Sequence, residues 1–289
     1  MLKNLVLVSC LLCSAGMIAQ TQRFVYKTTY KPDSLASAYV SETSVLDVVG
    51  QRSVYYSKNS TNGKFLTDEK SHEGQGAKEA AAADKAYLAY YVYKEQGKTS
   101  FFVYKGENAY QYEETEKIKW QIKDSIINYK EQYQAQLAET DFGGRRWNVF
   151  FTTQIPIPNG PYKFGGLPGL IVKATSADLD YNIELIEVQQ VKEPLFERPE
   201  TVLTLSKDKY LSVMKEHVLD PSKDLKVLFN RYGIGSSHDI SQDGVMMKPA
   251  ELFKITNEAA WEWMKTHNNP LEKGDVWLIF NATKVQMAQ

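Results

Sequence analysis

The stretch GPYKFGGLPGLIVKA, residues 160–174, constrains this chain more than any other. Pro156, Pro158 and Pro161 lack a backbone N–H, so the run they occupy excludes a central strand and demands an edge, a rim or an extended loop. The glycines permit positive φ or close backbone approach, and Pro168 stiffens the turn between Gly166 and Gly169. The apolar residues that follow read as a strand. The expectation is a fixed turn built by Gly160, Pro161, Gly165, Gly166, Leu167, Pro168, Gly169 and Leu170, which lets that strand enter a sheet in register. The alternative is a rigid loop that presents Lys163, Phe164 and backbone N–H groups to a partner. A phosphate-binding loop is excluded, because the G-K-[ST] element is missing and a strand follows where a helix would be needed.

The first two-thirds of the chain reads as β. Residues 23–31 and 44–57 are rich in Val, Tyr and Thr, and Gly50 interrupts the second run as a bulge or tight turn requires. AYLAYYVYK, TSFFVYK, AYQYEE and KIKWQI follow at short spacings, the rhythm of an antiparallel meander. Eighteen tyrosines suit half-buried pleated surfaces whose hydroxyls reach water. Residues 68–86 read as an exposed loop with two helical turns. Another strand runs through RRWNVFF into the opening motif, and residues 169–191 form a long hairpin turning near 177–180.

Beyond Pro194 the period changes. Tyr210, Leu211, Met214 and Val218 share one helical face behind Ser206 as N-cap. A second helix is expected with Asp220 as N-cap, Pro221 at its first position and Gly233 as its stop. Residues 257–270 suggest a third, ended by Pro270, and VWLIFNA a last strand. The layout is α+β and mainly antiparallel: a large curved sheet or half-barrel-like body, with short helices mostly in the C-terminal third.

The N-terminus has the form of an export signal: Lys3, then an apolar core, then Ala19 before a cleavage point at Gln20. Leu7-Val8-Ser9-Cys10 resembles a lipidation box, but only about five apolar residues precede Cys10, short for a signal core. The expected products are residues 1–19 as signal and 20–289 as a single domain, located in the periplasm, at the outer membrane or outside the cell. Cys10 and Cys13 are the only cysteines, so the exported part has no disulfide, thiol nucleophile or thiolate metal site. Without Lys3, 33 basic residues face 35 acidic ones, a balance that argues against nucleic acid as a partner. No second apolar stretch approaches membrane-spanning length.

Gly166-Leu167-Pro168-Gly169-Leu170-Ile171 spells the string that names the GLPGLI family of exported bacterial envelope proteins. Phe142-Gly143-Gly144-Arg145 resembles the family's F-x-G-R, and Trp147 to Phe151 its following aromatic strand. Ile155-Pro156 and Gly160-Pro161-Tyr162-Lys163-Phe164-Gly165 resemble its I-P…G-P-x-K-F lead-in. Upstream, Ile118-Lys119-Trp120-Gln121-Ile122 is similar to its I-x-W-x-I strand. Downstream, Asn268-Asn269-Pro270-Leu271-Glu272 resembles its N-N-P-I-E ending. Ala135 stands where the family often has cysteine. The resemblance implies an exported, β-rich envelope protein and no particular reaction.

Candidate binding residues are Arg145 and Trp147, a guanidinium that could fork an anion beside a stacking face, together with Lys163 and Phe164. The competing reading pairs Arg145 with a neighbouring strand's acid and buries Trp147 in the core. Enzyme signatures are poor. GIGSSH lacks a nucleophile elbow, and the four histidines show no HExxH or i, i+4 pairing for zinc. Asp178-x-Asp180-x-Asn182 imitates a calcium loop but has Ile183 in place of the turn glycine, so a hairpin turn is expected. No catalytic residue, metal or cofactor is assigned. The expected function is non-enzymatic binding or assembly with an unknown envelope protein. The alternatives are a carrier holding a lipid or other small apolar ligand under a curved sheet, and a hydrolase with an unrecognised site.

Overall fold

The computed structural model describes residues 21–58, 88–105, 108–192, 198, 201–242 and 245–275. The export signal, the loop expected over 68–86 and the last strand expected at 276–282 lie outside the described residues.

Six strands make a first antiparallel meander: β1 (Thr21–Tyr30), β2 (Val40–Val49), β3 (Arg52–Ser57), β4 (Tyr91–Glu95), β5 (Lys98–Lys105) and β6 (Asn108–Glu114). Five make a second: β7 (Gln121–Tyr129), β8 (Tyr133–Phe142), β9 (Arg145–Thr152), β10 (Leu170–Ser176) and β11 (Tyr181–Val191). The meanders fuse where β1 pairs antiparallel with β11, with Thr28 opposite Ile183. A short β12 (Leu203–Leu205) adds to β6 in parallel. The result is one open sheet of 12 strands, ordered β12-β6-β5-β4-β3-β2-β1-β11-β10-β9-β8-β7.

Connectivity forces that sheet to curl. β6 and β7 are ten strand steps apart, about 48 Å if flat at ~4.8 Å per step. Residues 115–120 join them, a span of at most about 25 Å fully extended. The two ends must therefore turn toward each other, yet β7 and β12 remain unpaired edges.

Alternation then defines an inside and an outside. Tyr26, Leu46, Tyr55, Val92, Phe101, Tyr112, Trp147, Val149, Phe151, Val172 and Ile183 face the inner core. Val45, Val54, Tyr56, Tyr91, Tyr93 and Phe102 point the other way into a smaller cluster. Helices α1 (Lys207–Leu219) and α3 (Pro249–Lys265) pack on the inner core through Tyr210, Met214, Val218 and Met264. Helix α2 (Lys223–Arg231) lies between them in sequence, and β13 (Ile240–Gln242) and β14 (Val245–Met247) form a separate hairpin.

Several boundaries differ from the sequence expectations. KIKWQI is not a strand over its length: β7 starts at Gln121 and continues through IINY, because Trp120 turns inward and donates its indole N–H to Gly165 O at 2.9 Å. β8 had no periodic signal, since Ala135, Leu137 and Ala138 straddle a bulge-free run of Gln, Glu and Thr. Ser206 does cap α1, accepting from Lys209 N. Asp220, by contrast, is the C-cap of α1, and α2 starts behind Ser222; the Asp220 carboxylate is occupied by Lys226 and the Ser222 hydroxyl. Helix α3 begins at Pro249 and ends at Lys265, so Pro270 does not stop it. Thr266 and His267 still bond back to Trp263 and Met264, whereas Asn268 and Asn269 turn to the loop after β1, where Asn268 Nδ2 donates to Asp33 and Asn269 Nδ2 to Lys31 O.

Candidate functional site

The GLPGLI motif is the second half of a long connection, residues 153–169, between the adjacent strands β9 and β10. It does not form a rim. It folds inward, burying Tyr162, Lys163, Phe164 and Leu167. The reason is local geometry: Gly166 N donates to Pro158 O, Leu170 N to Ile155 O, and Ile171 N to Asn159 O, closing the loop on itself. Gly169 then passes so close to β9 that a Cβ there would lie 2.1 Å from Thr152 O. Only glycine fits this crossing, after which Leu170 enters the sheet opposite Thr152.

On the inner face of β4, beside Val92, Lys94 fastens the same loop. Its ammonium donates to Asn159 Oδ1 at 2.8 Å, to Gly160 O at 3.3 Å and to Phe164 O. All three acceptors are uncharged, and burial pulls the amine down to about 7.

Phe164 is the hub of the aromatic interior, with its ring 4.9 Å from Trp147, 5.9 Å from Phe142 and 6.1 Å from Trp120. Trp147 is fully buried and donates its indole N–H to Phe142 O. Arg145 uses every donor it has. Nε reaches Leu271 O at 3.0 Å; Nη1 reaches Asp178 at 2.6 Å and Asp180 at 3.2 Å; Nη2 reaches Asn269 Oδ1 at 2.5 Å and Pro270 O at 2.9 Å. The calcium-like Asp178-x-Asp180 run is thus the receptor for an arginine. Burial pushes Asp178 up, but Ser176, Lys273 and Arg145 outweigh it and hold the carboxyl well below the usual range.

Residues 268–272 lie as a strap across the open side of the core. Asn268 Nδ2 donates to Asp33, Asn269 N to Pro32 O, and the Tyr181 hydroxyl to Asn269 O. At the strap's end Glu272 meets Lys163. The Lys163 ammonium, its side chain 1% exposed, donates to Glu114 at 2.7 Å, to Tyr112 Oη at 2.8 Å and to Glu272. Lys207 of α1 bridges the same two carboxylates, at 3.0 Å from Glu114 and 3.2 Å from Glu272. Burial raises Glu114, yet the charge and hydrogen bonds of Lys163, with those of Lys207, hold it down at about 2. The same balance lowers Glu272. Both carboxyls are therefore ionised.

This charged seam opens to solvent in a cleft of about 240 Å³ between Tyr112, the Gly143–Gly144 turn, Lys207, Tyr210, Glu272 and Asp275. A broader groove of about 660 Å³ adjoins it, bounded by the 115–120 connection and by Glu139, Asp141 and Arg146. The sequence picked out Arg145, Trp147, Lys163 and Phe164; the structure places all four in the interior and makes Arg145 and Lys163 the two clamps of the strap. It missed Glu114, Tyr112 and Lys207, which carry no motif. Of the histidines, His217 faces Asp224, whereas His238 and His267 bond to nearby backbone; His72 lies outside the described residues. Among the described residues no group of three or more His, Cys, Asp or Glu could hold a metal, and no helix is long and apolar enough to cross a membrane.

Residues 82–173 match the model of a family described as "Protein of unknown function (Porph_ging)". This uncharacterised family fits the bacterial envelope type. No curated protein matches the chain. Among solved structures, PNGF-II in a C2 crystal form is similar with a TM-score of 0.50 at 13% identity, over 67% of this chain and 32% of that one. A P21 form of the same protein gives 0.49 at 12%, over 67% and 33%. The chain spans about a third of the length of PNGF-II, and at this identity the likeness is one of β-rich fold alone.

Proposed function

We propose that this protein is an exported accessory of the bacterial cell envelope that binds or assembles with a partner and catalyses no reaction. What carries the reading is the state of its ionisable cluster. General acid–base chemistry wants a carboxyl or amine poised near the working pH. Here Glu114 and Glu272 are held ionised, and Lys163 has three acceptors for its three protons. Lys94, the one of these amines that burial draws to about 7, is spent on Asn159, Gly160 and Phe164 within the loop and lines neither the cleft nor the groove. Arg145 is equally consumed. Such a seam rigidifies its surroundings and leaves a preformed polar cleft at the surface, the feature a binding protein needs. A hydrolase would need one of these carboxyls raised instead. A carrier would need a hollow inner face, whereas Trp147, Phe151, Phe164 and Leu170 fill it.

The test is chemical cross-linking of the exported protein in envelope fractions, followed by identification of the captured species, beside turnover assays on peptide and glycan libraries. A defined stoichiometric partner without turnover is expected. Turnover that disappears on Glu272→Gln would overturn the proposal, and lipid co-purifying in native mass spectrometry would favour the carrier.

A further inference from the structure

We infer that the inner face of β1, β2 and β3 holds a site for one monovalent alkali-metal cation. Its ligands are the Glu42 carboxylate and the hydroxyl oxygens of Thr28, Ser44 and Tyr55. This goes beyond the binding reading above and stands independently of it.

Strand register gathers these groups on one face. Thr28 lies opposite Glu42, Ser44 lies opposite both Tyr26 and Ser57, and Tyr55 lies opposite Leu46. All of them therefore point inward with Tyr26 and Leu46, making a polar patch in an aromatic interior. Thr28 and Ser44 are 0% exposed and Tyr55 is 1% exposed, yet none of the three hydroxyls has a hydrogen-bond partner. Nor has that of Tyr90, whose ring lies 6.5 Å from that of Tyr55. Buried polar groups in that state are rare, and several on one patch point to a ligand.

The oxygens stand close to one another. Burial pushes the Tyr55 phenol up to about 12, the adjoining Ser44 and Thr28 hydroxyls pull it back, and the charge of Glu42 raises it again. Charge then identifies the guest. Half-buried Glu42 accepts from Tyr30 Oη and, at 3.2 Å, from Ser57 Oγ, both neutral, and no lysine or arginine among the described residues pairs with it. Arg23 pairs with Asp47 and Lys31 with Asp180. A carboxylate at the margin of a dry core calls for a counter-charge. Water would satisfy the hydroxyls and leave that charge standing, and an anion would double it. A divalent ion beside a single carboxylate would leave a net positive charge. The donor set agrees, since oxygens without nitrogen or sulfur suit hard cations.

The experiment compares urea unfolding of the protein in sodium, potassium and N-methylglucamine chloride at one ionic strength. Sodium or potassium should raise the midpoint above its value in N-methylglucamine, and the gain should grow with cation concentration as one-site linkage requires. Ser44→Ala and Tyr55→Phe should each raise the half-saturating concentration roughly tenfold, and Glu42→Gln should abolish the dependence. In N-methylglucamine the first two variants should be as stable as the parent or more so, because the hydroxyl each removes has no partner in the protein. Equal midpoints of the parent protein in the three salts overturn the inference, whether or not the variants fold. A cation gain that the variants keep overturns it as well, since the ion then acts elsewhere. Variants that lose stability equally in every salt would show internal water alone, which also overturns it. None of these results bears on whether a partner is captured by cross-linking.

Discussion

Gly169 and Lys163 show how tightly single residues are specified. A methyl group at 169 would meet backbone, not a flexible side chain, so Gly169→Ala must displace β9 or the loop. The expected cost is ~1–3 kcal/mol, the scale of an overpacked core, read as a lowered urea midpoint. Lys163→Met leaves Glu114 and Glu272 sharing only Lys207, and removing one partner from buried charges costs about 3–5 kcal/mol. Adding Glu114→Gln and Glu272→Gln should recover much of that loss. If the triple variant is no more stable than Lys163→Met, the charge pairing is not what holds the strap. The four candidate residues were visible in the sequence because their types are unusual beside glycines. Their roles were not, since Arg145 is matched by Asn269 and Lys163 by Glu272, each more than a hundred positions away.

Elements carry their own signals where hydrogen bonding is local. Ser206 was readable as the cap of α1 because it bonds three residues on; Ser206→Ala should cost ~1 kcal/mol and lower helicity in circular dichroism. The start of α2 was misjudged by two residues because Asp220 looks like a cap but spends its carboxylate on Lys226 and Ser222. β8 escaped notice for a related reason. Ala135 and Ala138 are fully buried, yet alanine contributes little strand propensity, and partners on β7 and β9 make the strand.

At the scale of the molecule, the buried charges and phenols set a pH window for stability. Glu114 titrates near 2 when folded and near its ordinary value of 4.5 when unfolded, so its contribution is complete above pH 4.5 and fades as pH falls toward 2. Glu114→Gln should flatten the urea midpoint over that interval. At the alkaline end the signs reverse. Burial raises Tyr26, Tyr90, Tyr162 and Tyr210 well above their ordinary value of 10.0, so the folded state keeps protons that the unfolded chain releases. Stability is full below about pH 10 and declines above it. Tyrosinate absorbance from these rings should appear together with loss of the far-ultraviolet β signal. Ionisation in a still-folded protein would contradict their burial.

Alternation of Val, Tyr and Phe with polar residues, punctuated by glycine, was enough to determine an antiparallel β-rich chain with late helices, because strand periodicity and helix caps are written in neighbouring residues. Prolines 156, 158 and 161 likewise excluded a central strand. Only the tertiary structure decided that the sheet curls, that the proline- and glycine-rich loop turns inward to plug it, and that the strap at 268–272 closes the plug. Those outcomes depend on groups far apart in sequence meeting in a dry interior, where each buried charge requires a partner that no local pattern names.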